Sequence, residues 1–283
     1  MTIAVTAVSG HLGSAIARKL SSGTTTEPVI GLARHPSNAK ALELEIRPGD
    51  YNNPEQLQTS LRGIDTVLLV SGMAAPDDRI QQHRNVIDAA KANSVRKIVY
   101  TSIQGPEQGT GFSPVVQSNR QTEADIRDSG LDWAIGRNGI YIEPDVEYFE
   151  TYKAQGEILN CAGEGKCGYT NRSELAMAYA CLLSQSDHDG QTHNFHGETM
   201  TQARLAEFLN QAFDTQLSYR AVSVPDYRDD RINELGEFIG SIIAGIYDGI
   251  RIGAFDNPSD FETVTGRPHQ SWDSYFGSLR SQS

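Results

Sequence analysis

Basic residues are scarce in this chain: 24 lysines and arginines stand against 36 aspartates and glutamates in 283 residues, for a formal net charge of −12. Non-specific nucleic-acid binding draws its affinity from basic side chains that neutralise phosphates, so this balance argues against direct contact with DNA or RNA and for a small ligand. Cysteine is rare too. Cys161, Cys167 and Cys181 are odd in number and contain no Cys-x-x-Cys pair, which argues against a disulfide framework and a zinc cluster; the expectation is reduced thiols and no metal. Although 38% of the residues are hydrophobic, no apolar run reaches the length of a membrane helix. The opening MTIAVTAVSG carries no basic region and no small-residue cleavage site, so the expected location is cytoplasmic.

What the chain does have is alternation. Strand-like runs at 3–5, 29–32, 44–46, 66–70, 97–100 and 131–135 are separated by helix-like segments at 14–20, 54–61, 83–92 and 121–128. That rhythm marks a parallel sheet with helices on both faces. After Tyr141 it loosens into aromatic and Gly-rich sequence, followed by helices expected at 173–183 and 201–213, a strand at 217–222 and a helix within 234–246. The fold class expected is α/β, a Rossmann-type doubly wound parallel sheet with a smaller C-terminal α/β lobe. Residues 1–145 would form the nucleotide-binding domain and 146–283 the substrate-side lobe, some segments of which return to the first domain.

The turn Ala7-Val8-Ser9-Gly10-His11-Leu12-Gly13 lies between the first strand and the first helix, the place a dinucleotide fingerprint must occupy. Gly10 lets the backbone approach a pyrophosphate, Gly13 permits close helix packing, and the helix N-terminus offers unpaired N–H donors. Ala7 stands where a first glycine is expected. Just after the second strand, where an acidic residue favours NAD and an arginine accommodates a 2′-phosphate, the chain has Arg34, then His35 and Lys40; NADP(H) is therefore expected over NAD(H). Gly49-Asp50-Tyr51 follows the third strand, at the sheet edge where an adenine would lie beside Asp50 and Tyr51; Asp50 could accept from the adenine amine or serve as a cap or turn residue. Val70-Ser71-Gly72 ends the fourth strand with small residues that leave room for cofactor or make an ordinary turn.

These segments, with TyrThrSer at 100–102, ThrGluAlaAspIleArgAspSerGly at 122–130, ArgAsnGlyIleTyr at 137–141 and ThrGlyArgPro at 265–268, resemble the atypical short-chain dehydrogenase/reductases of the NmrA-like group. The resemblance is strongest to NAD(P)H:quinone oxidoreductases and triphenylmethane-dye reductases and runs almost the whole length. It implies a cofactor site lined by Ser9, Gly10, His11, Leu12, Gly13, Arg34, Ser71 and Asn138, with Tyr141 near the nicotinamide and the substrate cleft. It further implies an NADPH-dependent reductase of quinones or similar flat electrophiles, which need little proton chemistry before hydride arrives. Ordinary short-chain dehydrogenases carry Lys four residues after a catalytic Tyr, and none of the eleven tyrosines here has that partner. Where quinone reductases of the family often carry a His, this chain has Asn119, which can hydrogen-bond a quinone oxygen but offers no titratable proton. Ser102 is a further polar candidate after the fifth strand.

Two other readings follow from the same features. A non-catalytic sensor of the NmrA type, holding dinucleotide and a protein partner, fits the missing Tyr/Lys pair; a nucleotide-sugar epimerase rests on fold analogy alone. The aromatic group Tyr148, Phe149 and Tyr152 suits either stacking on a flat substrate or the core between lobes. His188, His193 and His196 are expected at the surface, and a homodimer is left open.

Overall fold

A computed structural model describes residues 1–280. Its centre is a seven-stranded sheet in which every pairing is parallel, ordered β10-β6-β5-β4-β1-β2-β3. The strands are β1 (Ile3–Val5), β2 (Val29–Ala33), β3 (Glu45–Pro48), β4 (Thr66–Val70), β5 (Lys97–Ile103), β6 (Asp132–Asn138) and β10 (Gln191–Phe195). β1 and β4 are buried at every residue, as unbroken apolar runs in mid-sheet must be when helices cover both faces. Helix α1 (His11–Lys19), together with α7 (Arg172–Ser184) and α11 (Phe261–Thr265), covers one face. Helices α2 (Pro54–Ser60), α3 (Pro76–Ala92) and α4 (Ser113–Arg127) lie on the other. The chain leaves β3 at one edge and re-enters at β4 beside β1. Strand order therefore reverses between β1 and β4, which opens a crevice at their carboxyl ends.

The remainder is built from β7 (Ile140–Tyr141), α5 (Glu143–Glu147), α6 (Phe149–Gln155), β8 (Glu157–Asn160), β9 (Tyr169–Thr170), α8 (Gln202–Phe213), β11 (Ser218–Ala221), α9 (Val224–Leu235), α10 (Glu237–Arg251) and α12 (Trp272–Arg280). Two small parallel sheets, β11-β8 and β7-β9, accompany a second apolar core. Phe149 and Tyr152 belong to that core, with Phe149 stacked on Phe213 at 4.1 Å between centroids.

Four expectations change. Helix α3 starts at Pro76 and α4 at Ser113, several residues before the segments 83–92 and 121–128. Their N-terminal halves bury Arg79, Gln82 and His83, and Ser113, Ser118 and Asn119, so polar side chains occupy the stripe where periodicity looks for apolar ones. The single helix within 234–246 is instead two helices, broken at Gly236, whose φ of 81° stops α9. α10 then packs backbone to backbone: a Cβ on Gly245 would lie 2.1 Å from the Phe112 nitrogen, and one on Gly240 would lie 2.5 Å from the Ile232 nitrogen. Finally, His193 lies in the seventh sheet strand, and His193 and His196 are buried at 4% and 3% exposure rather than at the surface. Their rings pack on Phe195 and against Gly168, and no metal-binding group occurs among the described residues. No helix among them is long and apolar enough to cross a membrane.

Asp145, 5% exposed in the second core, accepts from the Tyr152 hydroxyl (2.8 Å) and the Tyr247 hydroxyl (3.2 Å), both at Oδ1. No basic side chain pairs with it among the described residues. Burial lifts its carboxyl to about 6, against the pull of the phenol hydrogen bonds. A carboxyl raised on folding contributes stability that is complete below its unfolded value near 4 and is lost as pH rises through 6. Asp145→Asn keeps the Oδ1 acceptor and removes the buried charge, so it is expected to raise stability at pH 8 by roughly 3 kcal/mol and hardly at all at pH 4. Thermal melts across this range check the expectation; an equal or lower Tm at pH 8 would overturn it.

Candidate functional site at the carboxyl ends of β1 and β4

The turn after β1 is held from below. The Tyr51 hydroxyl donates to the Val70 carbonyl (2.9 Å), the Thr6 hydroxyl donates to the Tyr51 oxygen, and the Val70 N–H donates to Thr6 Oγ1 (3.0 Å). This closed ring ties the ends of β1 and β4 across the crevice floor. Tyr51 is buried, and desolvation pushes its phenol well up. Its hydroxyl is therefore spent on the main chain rather than offered to an adenine.

Above this ring the chain turns at Ala7, which sits in the left-handed region at φ 50°. The Gly10 N–H donates to the Ala7 carbonyl at 2.9 Å, and Gly13 passes so close that a Cβ there would meet the Ala7 oxygen at 2.5 Å. Gly10 caps α1 without any side-chain bond, and no acidic residue stands in the first turn. The helix start thus presents free N–H donors and a positive dipole, the chemistry that receives a pyrophosphate. Ser9, Gly10 and His11 are exposed there, while Leu12 and Gly13 are buried beneath.

At the end of β2, Arg34 is 62% exposed on its side chain and its Nε lies 3.8 Å from Asp50 Oδ1. Asp50 also accepts from the Asn52 N–H at 3.0 Å, a turn bond. Lys40 stands exposed on the short 3-10 helix Pro36–Leu42 that follows β2.

The end of β4 is fixed by side chains of β5, α3 and α4. The Ser71 N–H donates to Thr101 Oγ1 (2.9 Å) and its hydroxyl to Asn119 Oδ1 (3.1 Å). Asn119 also accepts from the Tyr100 hydroxyl (2.6 Å) and donates to the Val115 carbonyl (2.8 Å). Each of its polar atoms is occupied inside the fold, so Asn119 acts as a strut for Ser71, and the structure does not bring it into the cleft. The Gly72 N–H donates to His83 Nε2 at 3.1 Å, which leaves the ring hydrogen on Nδ1, 2.9 Å from Thr122 Oγ1. Burial first, then the Arg79 charge, push this imidazole down to about 3. Ser102 is likewise taken inward: its hydroxyl donates to Glu123 Oε1 at 2.6 Å, within a knot that Arg120, Arg127 and Arg137 complete.

The end of β6 carries a second network. The Tyr179 hydroxyl lies 2.6 Å from Asn138 Oδ1, and Asn138 Nδ2 donates to the Tyr141 oxygen at 3.0 Å. Tyr141 accepts in that bond, so its own O–H is still a donor. Burial pushes the phenol up to about 12, against the lowering effect of the Asn138 bond. The Arg172 guanidinium sits 5.8 Å from the ring centroid. Thr6, Arg79, His83 and Tyr179 are site-forming residues that sequence reasoning missed. For Arg79 and His83 the available signal was a helix pattern with polar residues at core positions.

This crevice, uncapped helix start and glycine turn define a nicotinamide-dinucleotide-binding α/β protein. Residues 8–176 match the family described as NAD(P)H-binding. Quinone oxidoreductase 2 of Escherichia coli strain K12 is 30% identical over 229 residues, covering 80% of this chain and 79% of that protein. An NmrA-like family domain-containing oxidoreductase of Aspergillus flavus is 26% identical over 257 residues, covering 86% and 83%. Among solved structures, the NADPH complex of an NADPH-dependent quinone oxidoreductase from Escherichia coli superposes with a TM-score of 0.89 at 27% identity, covering 98% of this chain and 99% of that one. Citrobacter sp. triphenylmethane reductase with NADP(H) gives 0.88 at 29% identity, covering 97% and 98%. The chain belongs to the NAD(P)H-binding family and is an NAD(P)H-dependent oxidoreductase.

Two substitutions probe the turn. Ala7→Gly removes the left-handed penalty on a Cβ and is expected to raise stability by about 1 kcal/mol, read as a higher Tm. Gly13→Ala drives a methyl into the Ala7 carbonyl and is expected to cost about 1–3 kcal/mol and weaken dinucleotide binding. A Gly13→Ala protein with unchanged melting and unchanged cofactor fluorescence would contradict the packing described.

Proposed function

We propose that this oxidoreductase uses NADPH to reduce quinones or similar flat aromatic electrophiles. The observation that carries the reading is the protonation state of the groups around the crevice. His83 is pushed down to about 3 and Tyr141 up to about 12, so neither changes charge near neutral pH. Such a site offers oriented hydrogen-bond donors rather than an acid or base poised to transfer a proton. It suits an acceptor that takes hydride without prior protonation, and the Tyr141 O–H, left able to donate by the Asn138 bond, supports a role in orienting a carbonyl oxygen.

A bound nicotinamide cofactor would supply the hydride. The chain's own groups would hold it through the α1 N-terminus, the Ser71-Gly72 segment and Arg34. Preference for the 2′-phosphate rests on Arg34, whose guanidinium is loosely paired with Asp50 and otherwise faces solvent. A planar fork of donors suits a phosphate. Arg34→Ala is expected to weaken NADPH about tenfold or more, the loss of a charged hydrogen bond, while leaving NADH nearly unchanged. Fluorescence titration of both cofactors checks this, and equal losses for both would contradict it. Purified protein is expected to oxidise NADPH when a benzoquinone is added. Tight NADPH binding with no turnover on a panel of quinones and triphenylmethane dyes would overturn the reductase reading.

A further inference from the structure

Arg79 is a buried cation without a counter-ion. It stands in the first turn of α3 at 4% exposure. Its Nη2 donates to the Ala74 carbonyl at 2.9 Å, its Nη1 lies 3.4 Å from Ser118 Oγ on α4, and its Nε has no partner. No carboxylate pairs with it among the described residues. Nearby His83 and Tyr100 are both held neutral by burial, and Asp77 and Asp78 of the same turn are exposed. Arginine does not shed its proton, and an isolated buried charge is among the most costly features a fold can carry. Here the charge lies at the carboxyl ends of β4 and β5, against Ala74, three residues beyond Ser71, and against Ser118 of α4, the helix that holds Ser71 through Asn119.

We propose that Arg79 receives the negatively charged oxygen of the substrate, an inference that rests on the quinone reading. The quinone gains two electrons and one proton when it accepts hydride and becomes a hydroquinone monoanion; its charged oxygen then takes a second proton from water. The guanidinium supplies the missing positive partner for that oxygen at the moment the charge forms, and a preorganised charge in a water-poor site is most effective there. Arg79 is then a substrate-binding group whose counter-ion is made during the reaction. The preferred substrate class is one that carries or develops an anionic oxygen conjugated to an aromatic ring.

The test uses the purified protein loaded with NADP⁺, with 4-nitrophenol as a coloured stand-in for the anion. In the wild type, bound nitrophenol is expected to ionise about one pH unit or more below the free phenol, as a phenol beside a cation does. In Arg79→Met the shift is expected to vanish, with Tm equal or higher because the buried charge is gone, and benzoquinone turnover is expected to fall about 100-fold at unchanged NADPH affinity. Should Arg79→Met fail to fold, Arg79→Gln is read in the same assays. No shift in the wild type, or a shift and turnover both retained in the variant, would overturn the assignment. A nitrophenol shift that depends on Arg79 in a protein that never reduces quinones would support the anion site and overturn the quinone reading instead.

Discussion

The ring of hydrogen bonds joining Thr6, Tyr51 and Val70 is the constraint on which the site depends. β1 and β4 are neighbours whose following helices leave on opposite faces of the sheet, so the carboxyl ends of these strands part and backbone groups there lose sheet partners. One threonine hydroxyl and one phenol satisfy those groups while filling the crevice floor. With the floor fixed, the chain must turn upward at Ala7 and start α1 at once, with its N–H groups aimed along the crevice. The tolerance of this turn is small, because Gly13 already touches the Ala7 carbonyl. A positive φ at a residue with a Cβ is the strain that geometry imposes.

The second constraint is the polar layer between the ends of β4 and β5 and the helices α3 and α4. Gly72 to His83 to Thr122 to Ser118 is one run of hydrogen bonds, and Ser71 to Asn119 to Val115 is another. Both end on α4 main-chain carbonyls, so the segment after β4 is positioned by α4 rather than by its own loop. A fully satisfied buried network is rigid, and rigidity here fixes what a flat ligand lying over Ser71 and Gly72 would meet. α10, pressed through Gly245 onto the Gly111-Phe112 loop, extends the same restraint to the start of α4.

Sequence conveyed the sheet readily, because Val67–Val70 and Ile98–Tyr100 are apolar runs that suit strands covered on both faces. It also conveyed the turn, through its position between a strand and a helix. It did not convey the starts of α3 and α4, and the reason is the polar layer itself: Arg79, His83, Ser118 and Asn119 face the core while reading as surface residues. For the same reason Asn119 and Ser102 looked like free donors, although their partners, Ser71 and Glu123, come from 48 and 21 residues away. Tyr51 looked like an adenine neighbour because it follows β3, yet its ring turns under the sheet's end. Single-residue chemistry was legible; which side of an element that chemistry faced was not.

Glu123 on α4 and Arg79 on α3 show how differently the fold treats two buried charges. Glu123 is fully enclosed, receives Arg120, Arg127, Arg137 and the Ser102 hydroxyl, and is held below the ordinary carboxylate range by them despite its burial. Three guanidiniums converge on one carboxylate, more than neutralisation requires, and the joint between β5, α4 and β6 is locked as a result. Arg79 has instead Ser118, a short neutral α4 side chain whose oxygen lies 3.4 Å from its guanidinium. A carboxylate at that position would have quenched the charge within the fold. The structural joint is over-supplied with counter-charge while the crevice end has none, so the uncompensated cation is where the substrate's own negative charge can act as the missing partner.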